Sequence, residues 1–251
     1  MAIFQIEYFS QQLQTETPIA IATPRFHQPK EFQVLYLLHG MLDGHSSWLR
    51  QTGIERFIEQ TNLMVVMPFA GRSLYTDMKM GGQYFSYITQ ELPQYIEGLF
   101  STQEKSFVAG LSMGGYGAMK WALSQPDKFL AAGSFSGALD IANLFQQPST
   151  SVSRDELIQC FGSLDAIAGS DQDLMALLTQ CPEKLPLFQR CGRDDFLLDA
   201  NEAFAKAAIA ADFPLDYQVT DGAHDWAVWD LAVAEFLDWL KTNQWLDRAD
   251  L

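Results

Sequence analysis

A chain of 251 residues, 48% hydrophobic and 13% aromatic, is long enough to bury one large core. Its formal net charge of −15 argues against nucleic acid and anionic membranes as partners, and no apolar run is long enough to span a bilayer. Cys160, Cys181 and Cys191 are odd in number and lack metal-type spacing, so they read as reduced thiols of a cytoplasmic protein; no signal peptide is expected from the first residues, Met1 to Glu7.

Residues 3–9 and 17–22 alternate apolar and polar side chains and predict an antiparallel edge hairpin. Pro24, Pro29 and Lys30 mark a loop. Residues 32–38 form a dense apolar run, expected of a strand covered on both faces, and end in His39-Gly40-Met41. Glycine, serine and charge over 43–51 predict a loop, followed by a short helix over 54–60 and a buried strand over 63–67 that Pro68 stops. Residues 69–84 are polar and read as a long loop over the sheet. Apolar residues recur at helical spacing over 85–100, with Pro93 inside as a kink or a break.

A strand over 106–111 runs into a helix over 113–124, and a strand over 129–136 follows. From 137 to 184 the pattern loosens, with helical pieces over 154–161 and 172–180. This stretch reads as an excursion beside the site and not as a separate domain. The chain closes with a strand over 185–191, an alanine-rich helix over 200–211, a strand over 215–220 and an amphipathic helix over 225–242. Strands alternating with helices predict an α/β fold over residues 1–251, a single domain whose mostly parallel sheet is covered on both faces. Ligands then bind at the carboxyl ends of the strands. His39-Gly40, Ser112, Asp194-Asp195 and His224 each follow a predicted strand, so all four are expected on that edge.

Gly110-Leu111-Ser112-Met113-Gly114 fits the G-x-S-x-G nucleophile elbow, with a strand before it and a helix after it. The serine must sit in a strained turn that projects its hydroxyl, and side chains two residues before or after would collide there. The competing reading is a glycine-rich turn whose serine only caps the helix. A serine hydroxyl needs a base to take its proton. In this arrangement the partners follow in the order Ser, Asp or Glu, then His. Of the four histidines, His27, His39, His45 and His224, only His224 lies after Ser112. The acid should follow the preceding strand, on a loop that Phe196-Leu197 is expected to anchor in the core: Asp195 is preferred, Asp194 is the reserve, and Asp199 reads as a helix cap. The oxyanion needs preorganised donors, expected from the backbone N–H groups of Met113 and Met41. His39 reads as structural, its ring bonded to nearby backbone. A His39/His45 metal pair has no acidic or cysteine ligand with it, so no metal is expected.

These residues resemble the esterase D family of α/β-hydrolases, and within it the bacterial tributyrin esterases. The resemblance rests on Leu37-Leu38-His39-Gly40-Met41, Ser47-Trp48-Leu49, Val65-Val66-Met67-Pro68, Tyr75-Thr76-Asp77, the elbow through Gly117, Ser134 to Leu139, Cys191 to Leu197, and Gly222 to Trp226. It implies a nucleophile at Ser112, a base at His224, an acid at Asp195 just before Phe196-Leu197, and an oxyanion donor at Met41. It further implies hydrolysis of small-molecule short-chain acyl esters through an acyl-enzyme, no cofactor, and a homo-oligomer, as such esterases often form. Around the substrate it suggests His39, Gly40, Trp48, Tyr75 and Trp226. Carbohydrate esterases removing acetyl or feruloyl groups and S-formylglutathione thioesterases share the pattern. A binding module that keeps the fold without turnover is the alternative from another class.

Overall fold

The computed structural model describes residues 2–24, 31–144 and 152–247; His27, Pro29, Lys30 and part of the 137–184 excursion lie outside the described residues. The edge hairpin forms as β1 (Ala2–Ser10) antiparallel to β2 (Thr15–Thr23). β3 (Gln33–Leu38) follows, buried along its whole length. Leu35 and Leu37 pack on one side of the sheet, Val34, Tyr36 and Leu38 on the other. This is why the run is continuously apolar and does not alternate.

The stretch read as loop over 43–51 instead holds a short helix, α1 (Ser47–Gln51). Its buried Trp48 donates through Nε1 to the Leu38 carbonyl at 3.2 Å, and that anchor overrides weak local helix preference. α2 (Ile54–Ile58) leads into β4 (Leu63–Pro68). The long apolar-spaced segment becomes α3 (Tyr84–Ser86), a π turn (Tyr87–Glu91) and α4 (Leu92–Leu99). Pro93 therefore does not end the helical run. It sits in the first turn of α4, where its missing N–H matters least, and the wider turn precedes it.

β5 (Ser106–Leu111) enters α5 (Met113–Ser124), and β6 (Phe129–Phe135) follows. The excursion carries α6 (Ile141–Leu144), α7 (Arg154–Phe161) and α8 (Leu174–Gln180). α7 starts where it does because Ser153 and Glu156 form a capping box: Ser153 Oγ accepts from the Glu156 amide and Glu156 Oε2 from the Ser153 amide. β7 (Leu187–Gly192), α9 (Leu198–Ala210), β8 (Leu215–Thr220) and α10 (Trp226–Thr242) complete the chain.

The sheet has eight strands in the order β1-β2-β4-β3-β5-β6-β7-β8. Every pairing from β4 to β8 is parallel, so those strands end on one common edge. α5 packs on one face and α2 with α10 on the other. Phe236 of α10 meets Phe135 and Phe188 of the sheet at ring separations of 6.0 and 5.5 Å. Burying each such ring stabilises the fold by about 2–3 kcal/mol. Arg190 on β7 is buried yet satisfied: it pairs with Asp216 of β8 at 2.8 Å and Glu235 of α10 at 2.7 Å. The Glu235 contact ties α10 to the sheet, and the Asp216 contact joins β7 to β8.

Candidate active site

Ser112 joins β5 to α5 with φ +52° and ψ −117°, a conformation that costs a non-glycine residue about 1–3 kcal/mol. The turn is held from both sides. The Ser112 amide donates to the Phe135 carbonyl at 2.9 Å, and the Ala138 amide donates to the Ser112 carbonyl at 3.1 Å. The two motif glycines allow close approach. A side chain on Gly110 would press into the Gly114 carbonyl, and one on Gly114 into the Leu38 carbonyl. The helix-cap reading of Ser112 fails, because its side chain makes no bond to the helix. Its Oγ lies 3.0 Å from His224 Nε2 instead.

His224 follows β8 through Gly222, whose φ of +123° suits glycine. Asp225 then caps α10, its Oδ1 accepting from the Ala227 and Val228 amides. The imidazole Nδ1 lies 2.9 and 3.0 Å from the two Asp195 oxygens. Asp195 also accepts from the Leu197 amide at 2.8 Å. Burial raises its proton affinity, but the bonds from His224 and Leu197 outweigh burial and hold its pKa below the usual carboxylate value. The carboxylate is therefore charged, and Nδ1 carries the proton it accepts. Nε2 is left to take the proton of Ser112.

The loop bearing Asp195 is fixed by backbone approach and by buried amides. A side chain on Gly192 would meet the Gly222 carbonyl at 2.5 Å, so this glycine serves close packing against the His224 loop. Asn201 on α9 donates to the Gly137 and Leu197 carbonyls at 2.9 Å each. Leu197 is buried, as expected, but Phe196 is 66% exposed and packs against His224 with ring centres 4.6 Å apart. Asp194 is exposed. Asp199 lies in the first turn of α9 and does not cap it.

Gly40, Met41, Met113 and Trp226 line, with Ser112 and His224, a cavity of about 920 Å³. Among the described residues neither the Met41 nor the Met113 amide has a hydrogen-bond partner. His39, Trp48 and Tyr75 do not line the cavity; they are buried beneath it. Tyr75 Oη donates to the His39 carbonyl at 3.1 Å, and Trp48 reaches back to Leu38. The two rings belong to the cores on opposite faces of the sheet, and each bonds the backbone just before the Gly40–Met41 turn. Residues that sequence reading missed include Trp229, Leu74, Asn143 and Asp43, all on the cavity wall. Trp229 was findable: it stands three residues after Trp226 and so shares its helix face.

His39 donates from Nδ1 to the Gly40 carbonyl at 2.7 Å and accepts at Nε2 from the Ala70 amide at 2.9 Å. Only the neutral ring can do both. Burial lowers its pKa from 6.5 to about 4. A histidine whose folded pKa lies below its unfolded value contributes stability above the unfolded pKa and loses it as pH falls to the folded one. About 3 kcal/mol should therefore drain between pH 6.5 and about 4. Denaturant melts across that range should show the loss, and His39→Gln should flatten it. An equal slope in the variant would remove His39 from this role.

The Esterase family model matches residues 10–240. An acetyl esterase of Caldicellulosiruptor saccharolyticus is 30% identical over 262 residues, covering 96% of this chain and 98% of that protein. A substrate-bound fluorophosphonate-binding serine hydrolase of Staphylococcus aureus matches with a TM-score of 0.87 and 29% identity, over 95% of this chain and 98% of that one. The S-formylglutathione hydrolase of Staphylococcus aureus matches at 0.85 and 29%, with the same coverage.

Proposed function

Because the chain belongs to the Esterase family and is a serine carboxylic ester hydrolase, we propose that Ser112 is its nucleophile, His224 its base and Asp195 the acid that orients the base. The observation that carries this reading is the unbroken hydrogen-bonded series from Ser112 Oγ through His224 to Asp195, at 3.0 and 2.9 Å. His224 Nε2 takes the hydroxyl proton as Oγ attacks the ester carbonyl. The Met41 and Met113 amides hold the oxyanion, and Asp195 stabilises the imidazolium. Collapse expels the alcohol, which receives that proton from His224. Water then repeats the cycle on the acyl-enzyme and releases the acid. An aligned relay of this kind supports turnover over a non-catalytic binding module.

The substrates proposed are small esters of short acyl chains. The acetyl esterase name of the relative supports this, and the cavity that would take them has Leu74, Leu111 and Leu144 in its wall. Structural neighbours titled S-formylglutathione hydrolase and ferulic acid esterase keep those two substrate classes in the comparison. All three cysteines are buried free thiols, which supports a reducing, cytoplasmic setting. No helix among the described residues is long and apolar enough to cross a membrane.

A panel of nitrophenyl acetate, butyrate and laurate tests the acyl preference. The expected kcat/KM for acetate or butyrate exceeds that for laurate by at least about 10-fold, and lipid–water interfaces do not activate the enzyme. A preference for laurate would overturn the short-chain reading.

A further inference from the structure

The cavity wall is one-signed. Asp43, Asp140, Asp199 and Asp225 line it, whereas no lysine or arginine does among the described residues. None of the four forms an ion pair among the described residues. Asp140 is bonded to the neutral amide of Asn143, and Asp225 to the first amides of α10, so no cation cancels either charge. Asp43 is half-buried and interacts electrostatically with Arg50, which lies off the cavity wall, and with His224. These four groups are part of the formal charge of −15, so the field at the wall and that of the whole chain have the same sign.

Resting on the esterase reading above, we propose that this cavity selects its substrates by the charge of the leaving group. It accepts esters of uncharged or cationic alcohols and turns away esters and thioesters whose leaving group carries carboxylates. The reacting carbonyl is the same in each case, so the discrimination lies in approach and in the field felt by the departing group. A carboxylate in the cavity would meet four like charges and no counter-ion from the wall. Glutathione carries two carboxylates, so its thioesters fall on the rejected side. Esters of neutral sugar hydroxyls and of small alcohols fall on the accepted side.

The test uses three phenyl acetates: one unsubstituted, one with a para-carboxylate and one with a para-trimethylammonium group. Each is hydrolysed by the wild-type chain and by the Asp43→Asn/Asp140→Asn variant. Intrinsic leaving-group reactivity cancels when charged-to-neutral ratios of kcat/KM are compared between the two proteins. At low ionic strength the wild-type ratio for the carboxylate ester should lie about 10-fold below that of the variant. The ratio for the cationic ester should move the opposite way, and both differences should shrink as salt screens the wall. Ratios identical in the two proteins, or a wild-type ratio for the carboxylate ester that salt leaves unchanged, would overturn the inference while leaving the esterase reading intact. Absence of turnover on all three esters would overturn the esterase reading and this inference with it.

Discussion

Replacing Ser112 with alanine should lower kcat on a short-chain ester by a factor on the order of 10⁶, the scale found when a hydrolase loses its nucleophile from a working triad. Alanine carries no lone pair to form the acyl bond, so the remaining rate comes from the oxyanion donors and from substrate binding alone. The fold should survive. Alanine at φ +52° bears the same backbone strain as the serine it replaces, and the bonds that pin the turn run through the backbone of residue 112. His224 loses its Nε2 partner but is 19% exposed and can turn to water. A thermal melt near that of the wild type, together with a collapsed kcat, is the expected pair of results. Ordinary turnover in Ser112→Ala would refute the nucleophile.

The second large effect separates two neighbours. Asp195→Asn should reduce kcat by about 10⁴, while Asp194→Asn should keep most of its activity. The Asp195 carboxylate accepts from Nδ1, which leaves Nε2 unprotonated and facing Ser112. An asparagine amide can present an N–H to Nδ1. The ring then carries its proton on Nε2, where it can no longer take one from the serine. The shape of the site is kept and the tautomer is wrong. The Asp194 side chain is exposed and contacts neither ring nor serine. Only its backbone is used, the amide donating to the Gly222 carbonyl at 2.9 Å, and asparagine preserves that bond. The comparison needs kcat for both variants on one activated acetate, with melts to confirm folding. A crippled Asp194→Asn beside an active Asp195→Asn would move the acid by one residue.

Much of this arrangement was legible because it is written in backbone constraints. The Gly110 and Gly114 spacing signals close approach of a strand, a helix and β3, and the structure shows that approach. The order rule left His224 as the only candidate base, and His224 is the histidine that reaches Ser112. The apolar runs at 33–38 and 63–68 are strands buried on both faces. Side-chain direction was less legible. Trp48 and Tyr75 lie within the pieces that carry the family resemblance, and sequence cannot say whether a motif side chain faces the substrate or the core. Both face the core, and each bonds a backbone carbonyl just before the Gly40–Met41 turn. Phe196 went the other way. Its apolarity suggested burial, but its ring covers His224. α1 was hidden because five residues give too short a window for periodicity, and its anchor is one long-range bond from Trp48. The Asn201 contacts that steady the Asp195 loop had no signal beyond a single amide in an alanine-rich helix.

Covalent trapping shows whether acyl transfer passes through Ser112. Wild-type protein and Ser112→Ala are treated with a fluorophosphonate, then intact masses and digested peptides are measured. One adduct per chain is expected, located on Ser112, with none on the variant and with esterase activity lost in step with labelling. An adduct on another residue, or undiminished hydrolysis once Ser112 is fully labelled, would contradict it.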